Sequence, residues 1–252
     1  MGQDMPTGVG LVPIADGPHQ TVITPVTNTL SIAEIAGRFP EFRVAAVVAE
    51  DLAIPAERPP ELDRLIAARE AAIRARYDGM ELSAIPGVAA WRTAYRAFGI
   101  KRTSYRSSVE RLVKNALAGR PLPAINGFVD AYNAVSLAHV LCLGADDLDK
   151  VAGDLAFRVA RPGDSFVDMG AEDGDDPNDP PKEGEVVYAD AQKVLCRRWN
   201  WRQDARSVIT PETRRAVVTV QANGAGDLDA AVEDLVALIG RFCGGRSAVA
   251  VA

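Results

Sequence analysis

Apolar residues recur at helical spacing through the first half of the chain and at strand spacing through the second. Residues 61–77, ELDRLIAAREAAIRARY, place Leu62, Leu65, Ile66, Ile73 and Tyr77 on one face with charged residues between them, which predicts a helix. Further helices are expected at 88–98, ending at Gly99, and at 107–118, with Ser107 or Ser108 as the N-cap and Gly119 as the stop. Another is expected at 126–141, with Asn126 as the cap and Gly144 beyond its end. Pro55, Pro59, Pro60, Pro86, Pro121 and Pro123 interrupt the pattern between them. An early apolar run, FRVAAVVA at 42–49, suits a buried strand. From residue 153 the period shortens. Segments 153–160, 185–189, 194–198 and 216–221 read as strands, and 229–242 as an amphipathic helix that packs onto the sheet.

Helices first and strands later, with one strand out of order, is an α+β arrangement rather than a βαβ alternation. Residues 1–30, rich in Gly, Pro and Thr with short strand character around Val22 and Ile23, read as an irregular arm. Residues 31–246 read as one domain and 247–252 as a frayed tail.

Composition adds boundaries to this picture. At 252 residues, 48% hydrophobic and 25% charged, the chain can bury a sizeable core without disulfides or metal. Cys142, Cys196 and Cys243 are far apart and form no CxxC, so neither a zinc site nor a disulfide framework is expected, which suits a reducing cytoplasm. The opening MGQDMPTGVG lacks a cationic segment followed by an apolar core, so no secretory signal is expected. No run of about 18 apolar residues occurs, so no membrane span is expected.

Charge changes the picture more. The net charge is −6, yet residues 91–120 carry Arg92, Arg96, Lys101, Arg102, Arg106, Arg111, Lys114 and Arg120 against the single acid Glu110. Trp91, Tyr95, Phe98 and Tyr105 are interleaved with them, and a second cluster, Arg197-Arg198-Trp199-Asn200-Trp201-Arg202, lies downstream. A cationic patch on an acidic protein suits a polyanion, RNA or a phosphorylated ligand; the alternative is a solvated helix face. Glu110 follows Ser107 by three residues, which makes it either half of a capping box or a site residue.

The helix INGFVDAYNAVSLAHVL is the least ordinary element. Asn126, Asp130 and Asn133 share a stripe on an otherwise apolar helix, so they either bond neighbouring loops or line a polar pocket, with Ser136 and His139 as weaker candidates nearby. Nucleophile and cofactor signatures are missing: no G-x-S-x-G, no HExxH, no His/Cys/Asp cluster at metal spacing and no glycine-rich phosphate loop ahead of a helix. Neither cofactor nor metal is therefore expected. A chemistry compatible with this list is hydrolysis of an activated ester by a positioned water and hydrogen-bond donors; the aminoacyl ester of tRNA is such a substrate. The acidic, Pro-rich stretch 172–183 repels phosphate, so it points away from RNA or acts as a flap. Its Asp173, Asp175, Asp176 and Asp179 do not match an EF-hand.

The segments AWRTAYRAFGIKRTSYRSSVERLVKNAL, LPAINGFVDAYNAVSL, GEVVYAD and CRRWNWRQ together resemble the stand-alone B3/B4 proteins, over about residues 40–245. These are similar to the B3/B4 domain of the phenylalanyl-tRNA synthetase beta subunit, which hydrolyses tyrosine wrongly attached to tRNA(Phe). The resemblance implies a β-sandwich-like core flanked by helices, and a proofreading hydrolase acting in trans on mischarged tRNA. Some stand-alone relatives are associated with canavanyl-tRNA(Arg). A non-catalytic tRNA- or RNA-binding module is the alternative. The synthetase subunit has further modules that these residues do not supply, so RNA must be gripped by the chain's own basic surface.

With that substrate in view, Asn126, Asp130 and Asn133 are the catalytic candidates, the two amides orienting the ester. Asp130, Glu110 or Glu185 would hold the cationic end of a basic amino acid. Tyr105, Arg102 and Arg198 would meet the terminal adenosine and its phosphates, and Asn200 would bind substrate. Lys101, Arg102, Arg106, Arg197 and Trp199 would meet the RNA, although one of Trp199 and Trp201 is expected in the core.

Overall fold

A computed structural model describes residues 29–101, 105–171 and 176–252. The arm proposed for 1–30 therefore lies almost wholly outside the described residues, as do Arg102, Asp173 and Asp175. In chain order the elements are β1 (Leu30–Ser31), α1 (Ala33–Ala36), β2 (Phe42–Glu50), α2 (Pro60–Arg76), α3 (Pro86–Ala97), α4 (Ser108–Leu117) and α5 (Gly127–His139). They continue with β3 (Cys142–Asp147), β4 (Leu155–Val159), β5 (Val186–Ala189), β6 (Val194–Arg197), β7 (Arg202–Gln203), β8 (Ala216–Asn223), α6 (Leu228–Cys243) and β9 (Arg246–Val251).

The fold is α+β. Among the described residues the strands form two sheets, one of order β1-β4-β5-β6-β7 and one of order β3-β8-β2-β9. Neither is a closed barrel. β2 is buried along most of its length because it lies inside its sheet, antiparallel to β8 on one side and to β9 on the other. Its Val-rich sequence fits that position, since branched side chains pack well on a pleated surface covered on both faces. Helix α6 lies against β2, β8 and β9, and α5 packs between α6 and α2.

Two segments differ from the sequence reading. Residues 247–252, expected as a tail, contribute to β9, with Val47 opposite Val249 and Ala45 opposite Val251. The helix expected to run to 141 ends at His139, and β3 follows at once. The break is local. Val140 takes a left-handed φ of 54°, and Ser136 Oγ donates to the Leu141 carbonyl at 2.6 Å, turning the chain back. Gly87 of α3 makes room for this turn: a Cβ there would fall 2.4 Å from the Val140 carbonyl oxygen.

An aromatic seam joins the sheets. Phe42 of β2 lies with its ring centroid 5.1 Å from Phe157 of β4, 4.8 Å from Trp199 and 6.2 Å from Trp91 of α3, all near edge-to-face. Such pairs contribute about 0.5–1.5 kcal/mol each beyond the area they bury. Beside this seam the two sheets part and leave a hollow.

Candidate functional site

The hollow is a cavity of about 460 Å³, large enough for a small ligand. β3 supplies Leu143, Gly144, Ala145 and Asp146, and β8 supplies Thr219 and Gln221. Across from them stand Tyr188 of β5, Leu195 and Cys196 of β6, and Gln203 of β7. Helix α5 presents Tyr132 and Asn133, and α4 presents Ser108 and Arg111. Trp201, Arg202, Met169 and Gly170 complete the wall, with Met169 and Arg111 exposed at the rim.

The turn between β6 and β7 sets the orientation of the rim. Arg198 and Trp199 both take positive φ, 45° and 68°, a conformation that side-chain-bearing residues adopt at a cost of about 1–3 kcal/mol each. Trp199 anchors it: its ring is fully buried in the aromatic seam. The neighbouring residues are thereby turned the other way. The Arg198 guanidinium sits 3.9 Å from the Tyr105 ring centroid and 4.3 Å from that of Trp201, and Arg202 stacks 5.0 Å from Trp201. Arg198 Nε and one of its terminal nitrogens are buried without a partner.

The rim is cationic. The Arg111 side chain has no hydrogen bond or ion pair among the described residues, and burial together with Arg202 and Arg106 lowers its pKa. Arg202 binds Asp168 at 2.9 Å. Arg106, paired with Glu110, and Arg202 thus crowd the Arg111 guanidinium with like charge.

The interior is polar but sparsely charged. Asp146 is its carboxylate. Ser207 Oγ donates to Asp146 Oδ1 at 2.6 Å and Gln203 Nε2 donates to the same oxygen at 2.9 Å. Burial pushes this carboxyl up to about 7, against the lowering effect of those two hydrogen bonds and of Lys193, with Asp204 adding to the rise. Burial likewise raises Tyr132, Tyr188 and Cys196. The Tyr188 hydroxyl and Ser108 Oγ are buried without partners. Asn200 is held between Tyr95, whose hydroxyl donates to it at 2.8 Å, and Gln221, which accepts from it at 3.0 Å. Among the described residues no group of three or more His, Cys, Asp or Glu is arranged to hold a metal ion, and no helix is long and apolar enough to cross a membrane.

A family model described as the B3/4 domain matches residues 90–244, a span that contains every residue lining the cavity. The chain belongs to the B3/4 domain family. A search of curated proteins finds no match. Among solved structures, the chain is similar to an N-terminal fragment of the phenylalanyl-tRNA synthetase beta subunit from Pyrococcus horikoshii. The identity is 12% over 95% of this chain and 53% of that one, with a TM-score of 0.43. This chain thus spans about half the length of that fragment.

In this B3/4 domain the residues expected from sequence fall into separate places. Asn133, Asn200 and the rim beside Tyr105 are brought together at the cavity. Asn126 and Asp130 are not. Asn126 caps α5, its Oδ1 accepting from the Phe128 and Val129 N–H groups at 3.1 and 2.9 Å. Asp130 accepts from Arg58 Nε at 2.9 Å and from the Ile125 N–H at 3.0 Å. From Asn126 to Asn133 the stripe runs about 10 Å along the helix axis, at about 1.5 Å per residue, and the cavity meets only its Asn133 end. Both tie the 122–126 loop to α5 and neither lines the cavity.

The carboxylates expected to hold a cationic substrate are already occupied. Glu110 receives Arg92 at 2.7 Å and Arg106 at 3.2 Å, while its own N–H donates to Ser107 Oγ at 3.4 Å, so the N-cap exists and the carboxylate serves the arginines. Glu185 receives Arg197 at 2.8 Å and Arg198 at 3.4 Å. Arg197 is fully buried, with Asp179 as its second partner, so it offers nothing to RNA, and the buried Trp199 offers no ring face. Lys101 and Arg106 border a second, smaller hollow of about 100 Å³ with Trp91, Arg92 and Tyr105. Arg102 lies outside the described residues.

The sequence reading missed Asp146 as a site residue. It sits in CLGADD, a strand with a glycine, two acids and no β-branched residue, where propensity gives little strand signal. Only its pairing with β8, Asp146 opposite Val217, reveals which way it faces. Nothing in the sequence singles out Tyr132 or Tyr188, and Arg111 and Arg202 are undifferentiated members of the cationic runs.

Proposed function

We propose that this chain is a deacylase acting in trans on mischarged aminoacyl-tRNA. The observation that carries the reading is a polar cavity opening at a cationic rim, where Arg202 is paired with Asp168 and the Arg111 side chain has no ion-pair partner among the described residues. Arg111 and Arg202 would meet phosphates of the tRNA 3′ end, and Trp201 would offer a ring to a base, a contact tolerant of sequence. The acyl group would enter between Tyr132, Tyr188 and Asp146, where the unpaired Tyr188 hydroxyl awaits a partner. Asn133 and Asn200 at the wall would orient the ester by hydrogen bonding. Membership of the B3/4 family, whose synthetase counterpart is an editing module, supports the same reading. The partner is then the aminoacylated end of tRNA, and the acyl groups to be tried include canavanine on tRNA(Arg).

The test is a deacylation screen over tRNAs charged with non-cognate and non-protein amino acids. Release of one acyl group at a rate above spontaneous hydrolysis supports the proposal. Salt-sensitive tRNA binding with no ester turnover would leave the chain a non-catalytic RNA-binding module.

A further inference from the structure

We propose that Asp146 is the general base of the cavity, and that its Oδ2 removes the proton from the water that attacks the ester carbonyl. This rests on the deacylase reading of the same site.

The geometry is that of a held base. Both donors, Ser207 Oγ and Gln203 Nε2, reach Oδ1, which fixes the carboxylate plane. Oδ2 has no hydrogen-bond partner among the described residues, on a side chain that lines the cavity. The groups around it leave no rival. Tyr132 of α5, Tyr188 of β5 and Cys196 of β6 keep their protons at neutral pH because burial raises all three. Arg111 of α4 and Arg202 of β7 are cations. Behind the wall, Lys193 is engaged by Asp190 at 2.8 Å and Asp204 by Arg206 at 2.6 Å, so neither exchanges protons with the cavity. Among the described lining residues Asp146 alone can accept a proton near neutrality. Burial brings its pKa to about 7, where at neutral pH about half of the base is ionised and it is strong enough to assist.

The step balances without a co-reactant beyond water. The water oxygen bonds to the carbonyl carbon as its proton passes to Oδ2. The tetrahedral intermediate breaks its bond to the ribose oxygen, which takes the proton back from Asp146. The products are the free amino acid and a tRNA with its ribose hydroxyl restored. The unpaired hydroxyls of Ser108 and Tyr188 are donors available to the oxyanion.

The experiment is single-turnover deacylation between pH 5.5 and 8.5 of a substrate that the wild type hydrolyses, with Asp146→Asn and Ser207→Ala. Binding of an amide-linked, non-hydrolysable aminoacyl-tRNA analogue and near-UV circular dichroism report the fold. The wild-type rate is expected to rise with pH through about 7. Asp146→Asn is expected to lower it by about 10²–10⁴-fold and abolish that rise while analogue binding persists. Ser207→Ala, which removes a donor to the ionised form, is expected to move the rise to higher pH, and it serves as the test if Asp146→Asn does not fold. A retained rise in Asp146→Asn, an unmoved one in Ser207→Ala, or a change of acyl preference with the rise intact would each overturn the assignment. Wild-type turnover with such a result sinks this inference alone, whereas no wild-type turnover across the panel sinks the deacylase reading with it.

Discussion

Arg58 donates through Nε to Asp130 Oδ2 at 2.9 Å, across 72 residues of sequence, and both side chains are almost wholly buried. The same guanidinium donates to the carbonyls of Leu122 and Pro123 at 3.1 and 2.7 Å. One arginine therefore fastens three segments, and Asp130 is its buried counter-charge. Asp130→Ala is expected to destabilise the fold by about 1–3 kcal/mol, because it removes the acceptor of Arg58 Nε and of the Ile125 N–H while Asp63, 3.1 Å from Arg58 Nη1, stays as a counter-charge. Urea unfolding measures this; a variant of unchanged stability that has lost activity would restore Asp130 to the chemistry.

The two tryptophans of the β6–β7 turn are expected to separate function from folding. Trp201→Ala should weaken tRNA binding by about 1–3 kcal/mol, the contribution of a stacked base, with a small effect on stability. Trp199→Ala should lose about 3–5 kcal/mol of stability, since it empties the aromatic seam. Parallel titrations of binding and unfolding check the pair.

The Arg111 side chain has no hydrogen-bond or ion-pair partner among the described residues, so its removal should unfold nothing. Arg111→Ala is expected to leave the thermal midpoint unchanged and to reduce the dependence of log K on log salt by about 1 for tRNA. Filter binding across a salt series reads both affinity and slope. An unchanged slope would place the RNA elsewhere on the surface.

Asp146 also predicts a pH dependence of stability. Its folded pKa of about 7 lies above the unfolded value of 3.8. The folded state therefore holds the proton more tightly, and the associated stability is complete below about pH 4 and lost as pH rises through about 7. At about 1.4 kcal/mol per pKa unit, the loss is of order 4 kcal/mol. Asp146→Asn should flatten this fall, so the gap between the two proteins' unfolding free energies should change between pH 5 and pH 8 in favour of the variant.

The helices α2, α3, α4 and α6 and the strands β2, β4, β5, β6 and β8 were legible because each carries its own period and its own Pro, Gly or Ser punctuation. β3 and β9 were not, because their strand character comes from partners: Asp146 is in a strand through Val217, and Val249 through Val47. The site divided in the same way. Asn133 and the Arg198–Trp201 neighbourhood showed in composition, since polar groups on an apolar helix and aromatics among cations are unusual locally. That Asp130, Glu110 and Glu185 are consumed by arginines could not show, because Arg58, Arg92 and Arg197 reach them from other elements. Asp146, free of any such cation, resembled the other acids of the chain until its surroundings were known.

β2 cannot acquire its neighbours early. Residues 42–50 pair with 216–223 and 246–251, so the most apolar run of the first fifty residues waits for partners about 170 or more positions downstream. Contacts this distant slow folding and leave a valine-rich segment uncovered while the intervening chain forms. During synthesis that segment stays without its strand partners until β8 and β9 have been made.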